Sequence, residues 1–272
     1  FRPVPLKHYI YWDKKKHLLL EGERKWNHNM WTKIYNNINN IIKRKEKIIS
    51  NNNMFHEFLT YLSLERLMPT TIFILNRKMV EKTANSIHYN FNDSNEMKQV
   101  ITEWNKHLAK YKSVYSNTYQ WNMLKKLVEK GVGIHHSGLI PILKDMVEIL
   151  YSKKLIKVLI ATETFAMGVN MPTKSTVFTN LVKFDGNKKR LLKTEEYIQM
   201  AGRAGRRGLD KFGEVFILPT IYDMPKENEV KKMMLSLPQK ITSKVIIDYN
   251  YILKQLLHYD NSNIYTFLLD KI

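Results

Sequence analysis

The chain contains no cysteine in its 272 residues. That excludes disulfides, zinc knuckles and thiol nucleophiles together, and leaves oxygen, imidazole, guanidinium and amine groups to carry any chemistry. Long apolar runs are also missing: none approaches the roughly 20 residues that span a bilayer, and no basic-then-apolar start with a small-residue cleavage site reads as a secretory signal. A soluble intracellular protein is expected. Acidic residues are scarce, 25 against 44 Lys and Arg, for a formal charge of +19. A surface that basic concentrates polyanions, nucleic acid above all, although lysines that sit beside asparagines, as in residues 38–45, can equally do no more than solvate a helix face. No Gly-x-x-x-x-Gly-Lys-Ser/Thr loop to cradle phosphates occurs, so the chain alone is expected to hydrolyse nothing. Its first residue, Phe1, is not a start methionine, and it reads as a piece of something longer.

What is present has a rhythm. Prolines at positions 3 and 5 forbid helix, and residues 8–12 form an extended run suited to an edge strand. Trp31, Ile34, Ile38, Ile41 and Ile42 recur at helical spacing between about residues 26 and 49. A second helix carries Phe55, Phe58, Leu59 and Leu62 and stops before Pro69. From there short apolar strands, at residues 71–75, 132–136, 155–161, 175–182 and 213–218, alternate with amphipathic helices. This is the pattern of a parallel sheet covered on both faces. One helix ends at Gly131, another starts at Pro141, and a short one is expected to be capped at Thr194 with Glu195 and Glu196 in its first turn. Residues 90–117 read as a polar insertion with helical pieces. After Pro219 the rhythm stops, and Ile241, Val245, Tyr249, Ile252 and Leu256 form a helical stripe outside the sheet. The expected division is therefore residues 1–65 leading in, 66–220 as the α/β domain, and 221–272 as a further region.

Two motifs carry chemistry. In Gln199-x-x-Gly202-Arg203-x-Gly205-Arg206, glycines let backbone approach a ligand, and two arginines three apart are expected on one face of a helix, where they can clamp a phosphate. The plain alternative is a basic loop that only turns the chain. Residues 161–172 follow a buried strand at its carboxyl end, where open parallel sheets bind ligands. There the hydroxyls of Thr162 and Thr164 suit phosphate oxygens, and Gly168 and Asn170 suit close backbone approach and a hydrogen bond to ribose or to a bridging water. Phe165, Met167, Val169 and Met171 belong to the core. His135 and His136 are adjacent in a strand and face opposite sides, so they are not expected to share a metal, and no metal site is assigned.

In this order, and separated by a strand, the two motifs resemble motifs V and VI of the superfamily-two helicases. Residues 161–168, His135-His136-Ser137-Gly138 and Lys183-Phe184-Asp185-Gly186 resemble the superkiller-type, exosome-cofactor branch of the DExH RNA helicases. The likeness is strongest over residues 60–220. It implies an α/β fold with a RecA-like parallel sheet and helices on both faces, the second lobe of a P-loop NTPase pair, with helical N-terminal and C-terminal extensions. Residues 242–257 resemble the start of that family's winged-helix region. By the same resemblance Arg203 and Arg206 are arginine fingers, and Gln199, Gly168 and Asn170 join them around ATP. Arg77, His136, Ser137, Gly138, Thr162, Thr164 and Lys183 line the RNA path, and residues 183–193 form a hairpin that pries strands apart. ATP with magnesium would be held mainly by the absent first lobe. The implied partners are RNA, that first RecA-like lobe, and the RNA exosome with its adaptor proteins, in the nucleus or the cytoplasm. The implied activity is 3′-to-5′ unwinding of RNA coupled to ATP hydrolysis. Two other readings stand beside it: a non-catalytic RNA-binding or scaffold domain, and a DNA helicase of the same superfamily, against which the wording of residues 163–167 speaks.

Overall fold

A computed structural model of the chain describes residues 4–22, 25–43, 51–168, 171, 173–218 and 225–237. Strand β1 (Leu6–Trp12) turns into β2 (Lys15–Glu21) and β3 (Lys25–Trp26), followed by helices α1 (His28–Lys43) and α2 (Asn51–Leu64). The alternating region runs β4 (Thr70–Phe73), α3 (Arg77–Asn85), α4 (Ser94–Leu108), α5 (Lys112–Tyr115), α6 (Tyr119–Glu129), β5 (Val132–His135), α7 (Pro141–Ser152), β6 (Val158–Ala161), α8 (Thr164–Gly168) and β7 (Ser175–Phe178). It continues through β8 (Val182–Phe184), β9 (Lys189–Leu191), α9 (Thr194–Ala201) and β10 (Gly213–Ile217) to α10 (Glu227–Leu235).

Among the described residues eight strands form one sheet in the order β3-β2-β1-β10-β7-β4-β6-β5. From β1 to β5 every neighbouring pair is parallel, and the β1–β2 and β2–β3 pairs are antiparallel. Helices cover both faces, as the near-continuous apolar strands require. On one face Phe178 stacks on Tyr197 of α9 at 4.9 Å, and His8 meets the Tyr197 hydroxyl at 2.7 Å. On the other, Tyr11 and Phe216 pack against Phe58 of α2 at 4.6 and 5.5 Å. The expected RecA-like α/β lobe is what the chain builds.

Several local expectations are corrected. Residues 8–12 do not lie at an edge, because β1 is paired on both sides. Pro5 precedes the first ladder residue, Leu6, and its carbonyl accepts the Gly213 N–H at 2.9 Å, so no sheet bond is lost to it. The hairpin into β2 turns on Asp13 and Lys14, both with positive φ (50° and 59°). This is a two-residue turn of the primed kind that lacks the glycine by which such turns are read. Trp26 belongs to β3, and α1 begins only after Asn27, whose side chain accepts the Met30 N–H at 3.0 Å. Residues 90–117 hold the helical pieces expected of them, and the first of these joins the core. Asp93 and Glu96 form a complete capping box at the start of α4, whose Val100, Trp104 and Leu108 are buried, with Trp104 edge-on to Trp121 of α6 at 5.2 Å. Lys193, rather than Thr194, is the N-cap of α9. The strand expected over residues 175–182 ends at Phe178, and the chain then forms a separate β8–β9 hairpin. The helical stripe at residues 241–256 lies outside the described residues, as does Asn170.

Candidate functional site

Because β4, β5, β6, β7 and β10 run parallel, their carboxyl ends emerge at a single edge of the sheet, and each loop there delivers polar groups to it. The loop after β4 delivers Arg77, exposed at the first position of α3. Asn76 caps that helix by accepting the Met79 N–H at 3.1 Å. The loop after β5 delivers His136, Ser137 and Gly138, and the loop after β6 delivers Thr162 and Thr164, whose hydroxyls lie 3.0 Å apart. Lys183 arrives on β8. Arg77, Ser137, Gly138 and Thr164 are exposed, whereas His136 and Thr162 are buried. A Cβ built on Gly138 would sit 3.8 Å from Arg77 Cδ, so the loops after β4 and β5 meet.

The histidine pair diverges as alternation in a strand dictates. His135 Nε2 is 2.8 Å from Glu148 on α7, and His136 Nε2 is 3.2 Å from Glu81 on α3. His136 Nδ1 accepts the Gly138 N–H at 3.1 Å, so in the neutral ring the proton sits on Nε2, toward Glu81. Burial pushes the pKa of both imidazoles down and outweighs the neighbouring carboxylates, which pull the other way. The ring of His136 thus shapes the turn, and the surface the turn offers is Ser137 and Gly138. Gln120 braces the same turn from α6: its Nε2 donates to the Gly138 carbonyl and its Oε1 accepts the Ile140 N–H, both at 2.9 Å. Nothing in the local sequence marks Gln120 for this, since it is 18 residues away from Gly138. Among the described residues, no three His, Asp or Glu side chains gather as a metal would need.

Lys183 differs from its neighbours at this edge. Its ammonium lies 3.0 Å from Glu163 and 3.1 Å from Glu196, with 14% of the side chain exposed. Burial works against its charge, yet the two carboxylates prevail and raise its pKa. Glu196 also accepts two bonds from Arg190, at 2.8 Å each, and the Lys193 N–H at 2.8 Å. Burial would raise that carboxyl, but these donors hold it at about 2.

The two arginines of the glycine-rich motif have left the helix. α9 ends at Ala201, and Gly205 and Gly208 adopt φ of +89° and +75°, so Arg203 and Arg206 stand in the turn that follows rather than on a common helical face. The turn is pinned to the sheet: Thr173 N–H donates to Arg203 O at 2.9 Å, and Gly205 N–H donates to Thr173 O at 2.8 Å. A Cβ on Gly213 would lie 2.5 Å from Ala204 O, a closeness only glycine permits.

Arg203 donates through Nη2 to the carbonyl of Ala166 in α8, which brings the two sequence motifs into contact. It meets no carboxylate among the described residues, and burial draws its pKa down with nothing to oppose it. A half-buried guanidinium without a counter-ion fits an anionic group such as a phosphate. Arg206 is already engaged: Asp210 takes its Nε at 2.8 Å, its Nη2 at 2.9 Å and its backbone N–H at 2.9 Å. That carboxylate raises the arginine's pKa against the effect of burial. Gln199 is exposed on α9, and Gly168 is the last residue of α8.

The helicase conserved C-terminal domain matches residues 97–208, a stretch that contains both motifs. The antiviral helicase SKI2 of Saccharomyces cerevisiae is 39% identical over 202 residues, covering 74% of this chain and 16% of that protein. The human superkiller complex protein 2 is 37% identical over 204 residues, covering 75% and 16%. The human exosome RNA helicase MTR4 is 34% identical over 268 residues, covering 94% and 25%. The chain therefore spans a quarter or less of the length of these three relatives. Among the described residues no helix is long and apolar enough to cross a membrane. With this domain match, these relatives and both motifs in contact in the fold, the chain belongs to the superkiller and exosome-helicase branch of the DExH-box superfamily-two helicases.

Proposed function

We propose that the chain is the second motor lobe of an ATP-dependent RNA helicase that unwinds RNA in the 3′-to-5′ direction in concert with the RNA exosome and its adaptor proteins, inside the cell. The observation that supports this most strongly is Arg203, a half-buried cation with no carboxylate partner among the described residues, bonded to the motif that also carries Thr162 and Thr164. The relatives include proteins named as an antiviral helicase and an exosome RNA helicase, which supports RNA as the track.

In this reading Arg77, Ser137, Gly138, Thr162 and Thr164 hold the RNA backbone through hydroxyl, guanidinium and backbone N–H donors. Lys183 reaches the RNA only if it shares its charge with Glu163 and Glu196. ATP, with magnesium held mainly by the first lobe, supplies the phosphoryl group transferred to water. Arg203 neutralises charge that develops on that group, Gln199 contacts the nucleotide, and Arg206 exchanges part of its Asp210 pairing for a phosphate oxygen. By itself the chain binds RNA weakly and releases no phosphate.

The test is Arg206→Ala in the full-length protein. Hydrolysis should fall by about 10³ or more, as for other arginine fingers, while RNA affinity without nucleotide stays near normal. Equal loss of both would make Arg206 an RNA contact and defeat the assignment. Hydrolysis stimulated more strongly by DNA than by RNA would defeat the choice of track.

A further inference from the structure

Among the described residues the β8–β9 hairpin pairs with no other strand. Leu181 and Leu192 at its base are buried, but Phe184 near its tip is 64% exposed, and a cavity of about 530 Å³ opens between the hairpin and the start of α3. Polar side chains bind its two strands to the body. From β8, Lys183 reaches Glu196 at 3.1 Å, and from β9, Arg190 grips both oxygens of the same carboxylate at 2.8 Å. Arg190 also lies 3.5 Å from Asp185 across the hairpin turn, and Lys183 reaches on to Glu163 at 3.0 Å, beside Thr162 and Thr164. Glu196 itself stands in the first turn of α9, which is anchored in the core by Tyr197. Gln199 is three positions further along that helix, about 4.5 Å of rise, and Arg203 follows its end. One carboxylate therefore joins the hairpin to the helix that leads to the arginines.

We infer that Glu196 is a positioning residue that clamps the strand-separating hairpin to α9, so that displacement of α9 by nucleotide is transmitted to the hairpin. The inference rests on the function proposed above and on the strand-separating role that the family resemblance implies for residues 183–193. A uniform basic surface would not need it: Lys183, expected on the RNA path, and Arg190 are both turned inward onto a shared acid.

The experiment uses the full-length helicase and measures duplex unwinding and RNA-stimulated hydrolysis separately. With Glu196→Gln, unwinding should fall roughly tenfold, as expected for loss of charge-assisted hydrogen bonds, while hydrolysis on single-stranded RNA stays within about twofold. Arg190→Gln cuts the same clamp from the hairpin side without touching α9, must give the same split, and decides the matter if Glu196→Gln does not fold. When residues 185–188 of the hairpin are replaced by a two-residue Asn-Gly turn, Glu196→Gln should cause no further loss of unwinding. Normal unwinding in both variants, loss of hydrolysis in step with unwinding, or a further loss in the shortened hairpin would each overturn the clamp alone. A wild-type protein that neither hydrolyses ATP nor unwinds RNA would overturn the proposed function, and the clamp with it.

Discussion

Arg203 and Arg206 are three residues apart in the chain and differ in everything around them. One gives a hydrogen bond to a carbonyl and meets no carboxylate among the described residues, while the other is gripped on two nitrogens by a carboxylate that is 6% exposed. Asp210→Asn should therefore release Arg206 and leave Arg203 untouched. It is expected to lower the unfolding free energy of the chain by about 1–3 kcal/mol, read from urea denaturation, and an unchanged midpoint would mean the pair is idle in the folded state. The glycines of the same turn differ in a testable way. At Gly205 an added Cβ would meet Val4 Cγ1 at 2.6 Å and Gly213 Cα at 3.0 Å, with φ at +89°, whereas at Gly208 the surroundings are open and only the φ of +75° is unfavourable. Gly208→Ala should cost about 1 kcal/mol and Gly205→Ala roughly 3 kcal/mol or more, because steric conflict adds to backbone strain. Equal costs in thermal melts would show that Val4 yields freely.

Among elements, β5 shows how much one short strand can decide. Its alternation sends His135 to α7, and the next residue, His136, to α3. Burial holds both rings below the ordinary value of 6.5. The folded chain thus binds these protons more weakly than the unfolded chain, and the linkage has a definite sign: this stability is fully present above pH 6.5 and is lost as pH falls through the lower, folded pKa values. Melting temperature should drop between about pH 7.5 and about pH 5.5, and the drop should shrink in the double variant His135→Gln, His136→Gln. A pH profile identical in the double variant would place the effect elsewhere. Helix α4 makes the complementary point. Its apolar positions recur at helical spacing, and Asp93-x-x-Glu96 is a start signal legible in the sequence. Its outward face is polar, and Val100, Trp104 and Leu108 bury the other. Asp93→Ala should cost about 1 kcal/mol.

For the whole molecule, the formal charge of +19 predicts that RNA affinity falls steeply with salt. The log–log slope should be near −0.7 for each phosphate neutralised, and it should become shallower by about one contact in Arg77→Ala. An unchanged slope would remove Arg77 from the track. The alternation of apolar strands and helices, the placement of both motifs beside parallel strands and the excess of base were legible from residue order alone, because periodicity and strand-end position are local properties. The interior place of β1, the hairpin at Asp13 and Lys14 and the exit of the arginines from α9 were not, since each depends on which strands pair and where a positive φ falls. Nor could residue order show that Lys183 turns inward onto Glu163 and Glu196, that Gln120 braces a turn 18 residues away, or that Asp210 holds Arg206 while Arg203 bonds to the Ala166 carbonyl. A charged or amide side chain reads the same in a sequence whether it faces solvent, a ligand or a partner. Only packing, by fixing burial and the nearest opposite charge, decides which of these it meets.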